Sequence, residues 1–221
     1  TDKIQIVHCV FWPDPAYYLP IFGADIIQTP AGVTAAIVDI SPVDGVDWSD
    51  KLSPISKQIQ FKDNRQLPEW GEIFSPYCKF ARLKTEEEQD KFYQVVLEYL
   101  RIYCTEVQTA QWSDDWVGIM KRLDDQCWYT TSQRKNKKTK AVLSQWFSEE
   151  WADKYIEYEN EYLRSIGIED GWEYEINATD LTSVAQDQFT GLSDIPSDKD
   201  DNLNMVSLSS SSLSCILLIL F

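Results

Sequence analysis

The sequence predicts an α+β sandwich, an antiparallel sheet whose first strands are contiguous in the chain with later helices packed on it. Three β-rich runs follow one another through connections too short for a crossover, so they must run antiparallel. A long stretch with a capping signal and helical apolar spacing comes after them. At 221 residues the chain is long enough for one domain with a sizeable core. Its 9 Trp, 11 Tyr and 9 Phe supply a deep core, or a pocket for a flat conjugated ligand, with core packing accounting for most of them.

Residues 3–12 (KIQIVHCVFW) are β-branched and aromatic and read as a strand, broken by Pro13, Asp14 and Pro15. Residues 20–29 form a second strand, Pro30-Ala31-Gly32 a turn, and 33–40 a third strand. The stretch 43–70 is a Pro- and Asp-containing excursion with a short helix near 50–60, and 72–83 fits a further strand. Thr85 with Glu88 makes a capping box, and Phe92, Val95, Val96, Tyr99, Leu100 and Tyr103 line one face of a helix over 86–104. A second helix is expected over roughly 107–123, and an amphipathic one from about 138 to 165. Beyond about 170 the chain turns to Asp, Ser, Thr and Asn. The expected organisation is therefore a domain over 1–168 and an acidic, Ser/Asp-rich disordered tail over 169–221.

The formal charge of −16 is unevenly spread, because residues 157–221 hold 13 Asp and Glu against only Arg164 and Lys199. The acidity thus describes the end of the chain, and a local basic cluster can still govern docking elsewhere. Five cysteines without CxxC spacing, in a chain with one histidine, read as reduced intracellular thiols and suggest no metal site. The closing run CILLILF is far too short to cross a bilayer, so no membrane partner is expected. The chain opens on Thr1 almost directly in a strand, and reads as lacking the start of its domain, where a targeting peptide would lie.

His8 is the sole histidine. A hairpin centred between residues 16 and 17 sets His8 opposite Asp25 on one face of the sheet. A carboxylate there favours the imidazolium while desolvation opposes it, and such a pair can hold and deliver a proton near neutral pH. On spacing alone a structural hydrogen bond remains the commoner reading of such a pair.

The surrounding motifs are more specific. His8-Cys9-Val10, Pro13-x-Pro15, Leu19-Pro20-x-Phe22-Gly23-x-Asp25, Pro30-x-Gly32-Val33-x-Ala35-Ala36-Ile37 and Asp39-x-Ser41-Pro42 occur in order. Arg65-x-Leu67-Pro68-x-Trp70-Gly71-Glu72-Ile73-Phe74-Ser75 with Tyr77-Cys78 follows, then Lys135-Asn136-x-Lys138-Thr139, Val142-Leu143, Phe147, Trp151-Ala152 and Tyr155. Over roughly residues 4–156 this set resembles the ferredoxin-dependent bilin reductases, in particular their phycocyanobilin-forming branch.

The resemblance implies a three-layer α/β/α sandwich around a central antiparallel sheet, with biliverdin IXα between the sheet and the C-terminal helices. It implies that Asp25 protonates the bilin while His8 assists by proton sharing, and that Arg65 and Lys138 anchor the propionates, with Thr34 and Asn136 also at the ligand. It implies no bound cofactor, single electrons from a reduced 2Fe–2S ferredoxin, a monomer, and a plastid stroma or cyanobacterial cytoplasm. A Glu on the preceding strand and another histidine belong to the same pattern at positions upstream of Thr1, and Lys137 stands where many members carry an acid. The extent of reduction, to phycocyanobilin or to another product such as phycoerythrobilin, stays open on that account.

Arg134–Lys140 carries five positive charges in seven residues. Docking of an acidic ferredoxin and a solvated helix start are both readings of it, whereas one short cluster on an acidic chain argues against nucleic acid. Arg65 as a loop cap and Lys138 as a solvated residue are the plain alternatives to ligand anchoring. Beside a reductase, the sequence admits a protein that binds a tetrapyrrole without reducing it, and a structural domain in which His8–Asp25 is only a core pair.

Overall fold

The structure is a computed structural model and describes residues 5–146, 148–154, 203–210 and 213–220. Three strands, β1 (Gln5–Pro13), β2 (Ile21–Thr29) and β3 (Gly32–Ser41), form an antiparallel meander. Gly32, at φ +106°, supplies the left-handed backbone that turns β2 into β3. The β1–β2 connection is closed by the Asp14 carboxylate, which accepts the Ala16 N–H at 2.8 Å. Helix α3 (Trp116–Gln133) grips the same connection, Arg122 Nε donating to the Pro15 carbonyl at 2.6 Å and Gln126 Nε2 to that of Pro13 at 2.7 Å.

After helix α1 (Ser49–Gln58), strand β4 (Lys79–Leu83) pairs antiparallel with β3. The expectation of a strand over 72–83 is corrected here, because Gly71–Ile73 is a 3-10 turn and only the last five residues are extended. The reason is long-range: Asp39 Oδ2 accepts the Ser75 N–H at 2.9 Å, and the Ser75 hydroxyl donates to Oδ1, which ties the chain down before it can join the sheet.

Helix α2 (Glu86–Thr109) begins as the capping box predicts, with the Glu88 N–H donating to Thr85 Oγ1 at 3.2 Å. Its buried stripe, Phe92, Val95, Tyr99 and Tyr103, packs on the sheet face presented by Phe22 and Ala24, Ala36, Val38 and Ile40, and Ala81 and Leu83. Burying each large apolar side chain there is worth about 1.5–3 kcal/mol. The helix expected over 107–123 is also corrected. Helix α2 ends at Thr109, the Ser113 N–H turns to the Ala16 carbonyl at 2.9 Å, and α3 starts afresh at Trp116. Helix α4 spans Lys137–Trp146, residues 149–154 are helical again, and the remainder of the stretch expected up to 165 lies outside the described residues.

Within the segment read from composition as a disordered tail, Leu203–Ser210 and Leu213–Leu220 form strands β5 and β6. The sheet runs β4-β3-β2-β1-β6-β5, so the apolar end of the chain lies along the open edge of β1. An average over the acidic stretch hides this, since a bare edge offers backbone partners to any apolar strand. The rest of 169–221 lies outside the described residues. By contact the chain forms two units, Thr1–Gln126 with Lys199–Phe221, and Cys127–Asp198.

Candidate functional site

The β1–β2 register places His8 directly opposite Asp25, the pairing that the hairpin's symmetry predicts. The ladder continues without interruption from Asp25 to Ile37 on β3 and from Ile37 to Phe80 on β4. Directly paired residues share a face, so His8, Asp25, Ile37 and Phe80 form one row across four strands, on the face turned away from α2. Three strand spacings separate its ends, about 14 Å. The four residues are all part-buried, in contrast to the sealed core on the other face.

Nδ1 of His8 and Oδ1 of Asp25 are hydrogen-bonded, with the imidazole 15% and the carboxylate 36% exposed. The imidazole is thus largely withdrawn from water while the acid keeps an open side. A proton held by this pair has an exit through the open side of Asp25 toward that face.

Arg65 closes the far end of the row. Its guanidinium stands over the Phe80 ring, 5.2 Å from the centroid, and Nη1 donates to the Thr34 carbonyl at 3.0 Å. The Thr34 hydroxyl donates to the Ile27 carbonyl at 3.3 Å. Two predicted ligand residues, Arg65 and Thr34, are therefore neighbours, although they lie 31 positions apart in sequence.

Asn136 and Lys138 belong to the second unit. The Asn136 side chain caps α4, accepting the Thr139 N–H at 3.3 Å and donating to Thr139 Oγ1 at 2.8 Å. Lys138 is exposed on the first turn of that helix. Lys140, in the same basic run, pairs with Asp153.

Sequence reasoning missed Ile37 and Phe80 as members of the row, because nothing marks them until strand pairing is known. It named Asp39, Ser41 and Ser75 only as motif residues. They form a buried cluster in which Asp39 is 1% exposed, accepts the Ser41 hydroxyl at 2.6 Å, and has its carboxyl pushed up by burial. Among the described residues no group of three or more His, Cys, Asp or Glu is placed to hold a metal ion, and no helix is long and apolar enough to cross a membrane. The described cysteines Cys9, Cys78, Cys104 and Cys127 form no disulfide.

A family model described as ferredoxin-dependent bilin reductase matches residues 1–158. The chain belongs to this family. It is 41% identical over 158 residues to a phycocyanobilin:ferredoxin oxidoreductase of Prochlorococcus marinus (strain MIT 9313), covering 70% of this chain and 60% of that one. It is 42% identical over 164 residues to the protein of the same name from Synechococcus sp. (strain CC9902), covering 71% and 65%. The counterpart in Gloeobacter violaceus is 40% identical over 158 residues, covering 70% and 62%. The chain thus spans 60% to 65% of the length of these bilin reductase relatives. Among solved structures it is similar to a phytochromobilin synthase from tomato in complex with biliverdin, with a TM-score of 0.62 and 19% identity over 80% of this chain and 71% of that one. That likeness carries the fold, an α+β sandwich on an antiparallel sheet.

Proposed function

We propose that this chain reduces biliverdin IXα to phycocyanobilin, taking four electrons singly from reduced 2Fe–2S ferredoxin and adding four protons. The observation that carries the reading is the row itself. A hydrogen-bonded His–Asp pair lies at one end of a part-buried sheet face, and the exposed Arg65 guanidinium is seated over Phe80 at the other.

Each electron that enters a conjugated tetrapyrrole raises its basicity, and a proton must follow. Asp25 is the donor in this scheme, because its carboxyl has the open side. His8 shares that proton through the Nδ1–Oδ1 hydrogen bond and supports its return. Ile37 gives the rings an apolar bed between the acid and Arg65. Arg65 binds one propionate by a planar fork, and Lys138 binds the other as a point charge. Thr34 contacts the ligand beside Arg65, and Asn136 is a further ligand residue in this reading. The redox centre is ferredoxin's own, so the chain itself has to supply binding, protons and exclusion of water. The basic segment Arg134–Lys140 is the surface assigned to that acidic partner, with Lys135, Lys137 and Lys138 exposed. The enzyme acts as a monomer where ferredoxin and biliverdin meet, in plastid stroma or cyanobacterial cytoplasm.

The test is an anaerobic absorption time course of biliverdin IXα with this protein and photoreduced ferredoxin. Loss of the biliverdin band through transient radical absorption to a phycocyanobilin spectrum is the expected result. A bound biliverdin spectrum that never changes would make this chain a binder without turnover. A folded protein that leaves the biliverdin spectrum untouched would overturn the assignment.

A further inference from the structure

A long guanidinium side chain on a loop ordinarily samples many rotamers, so a useful anion anchor has to be held in place. Arg65 is held three ways. Residues 63–65 run as an extra rung along β4, with Asn64 bridged to Ala81, the Arg65 N–H donating to the Phe80 carbonyl at 2.8 Å and the Arg82 N–H to that of Asp63 at 3.0 Å. This fixes the Cα of Arg65 against Phe80.

The second constraint is a β-bulge. The β2–β3 register steps from Ile27↔Ala35 to Gln28↔Val33, and the β3–β4 register shifts between Val33 and Ala36, so Thr34 is the extra residue. A bulged residue drops out of the ladder, and here the Thr34 carbonyl accepts Arg65 Nη1 at 3.0 Å instead. The third is the Phe80 ring beneath Cζ at 5.2 Å. Asp63, a carboxylate that feels the Arg65 charge, is itself paired with Lys84 at 2.8 Å.

We propose that Phe80 is a positioning residue. Its ring, with the bulge carbonyl of Thr34, fixes the Arg65 guanidinium at the end of the His8–Asp25 row so that a carboxylate arm of the tetrapyrrole meets a preformed fork. The inference rests on the bilin reading above and adds to it the device that sets the ligand's position along the row.

The experiment titrates biliverdin and its dimethyl ester, whose arms carry no charge, into the wild type, Phe80→Leu, Phe80→Tyr, Arg65→Gln and the Phe80→Leu/Arg65→Gln double variant. Phe80→Leu is expected to raise the Kd for the free acid by roughly threefold while leaving the ester's Kd unchanged. Phe80→Tyr should restore the acid's affinity, and Phe80→Leu should add nothing in the Arg65→Gln background. Equal loss for acid and ester, or full additivity with Arg65→Gln, would show Phe80 to be a plain wall and overturn the inference. Phe80→Met, which keeps the bulk and removes the ring, carries the comparison if Phe80→Leu does not fold. A wild type that binds neither ligand would instead overturn the bilin reading itself, and this inference with it.

Discussion

Asp39 shows how much one buried residue sets locally. Its carboxylate takes two donors from Ser75 and one from Ser41, yet burial outweighs them and holds its carboxyl above the ordinary 3.8. A raised folded-state value means that the proton stabilises the fold. The contribution is fully present below the ordinary value and is lost as pH rises through the raised one. Asp39→Asn should therefore gain on the wild type in denaturation midpoint as pH rises from about 4 toward neutrality. A stability difference that moves the opposite way would mean the hydrogen bonds dominate. At this scale His8 and Asp25 were legible in the sequence, because a symmetric hairpin with short flanks leaves little freedom of register. Thr34 was legible only as a ligand residue that the family resemblance implies. Its bulge carries no local marker, since none of Val33, Thr34 and Ala35 is a Gly or Pro that would signal an extra residue.

At the scale of elements, helix α2 was readable from its cap and its apolar spacing. Thr85→Ala removes the acceptor of the Glu88 N–H and should cost about 1 kcal/mol, read as a lower urea midpoint at unchanged slope. An unchanged midpoint would mean that Glu88 caps without it, through the Lys84 N–H at 3.0 Å. The elements that escaped the sequence are those decided by distant partners. The strand expected over 72–83 yields to Asp39, and the helix expected over 107–123 breaks where Ser113 turns to Ala16. Neither partner is within reach of a window of periodicity. The row of Ile37 and Phe80 is hidden for the same reason, since it exists only after three strands are paired.

For the whole molecule, the edge of β1 beside His8 is the place where local reading and composition diverge most. Strand β6 covers that edge, with Leu218 at the register position opposite His8. Deleting residues 203–221 should bare the β1 edge and produce concentration-dependent self-association in gel filtration. A truncated chain that elutes unchanged at all concentrations would show that the hairpin is not needed there. The match to bilin reductases along residues 1–158 places the family on the same stretch that holds the row, Arg65 and the start of α4.

The central claim is that Asp25, supported by His8, delivers protons to a bilin on this sheet face, and the most direct measurement compares Asp25→Asn with the wild type. Both are titrated with biliverdin and then followed anaerobically with photoreduced ferredoxin. The variant is expected to keep its affinity and lose turnover by about a hundredfold or more, as removal of a general acid does. Turnover close to wild type, with any loss appearing in stability alone, would contradict it and leave His8–Asp25 a structural pair.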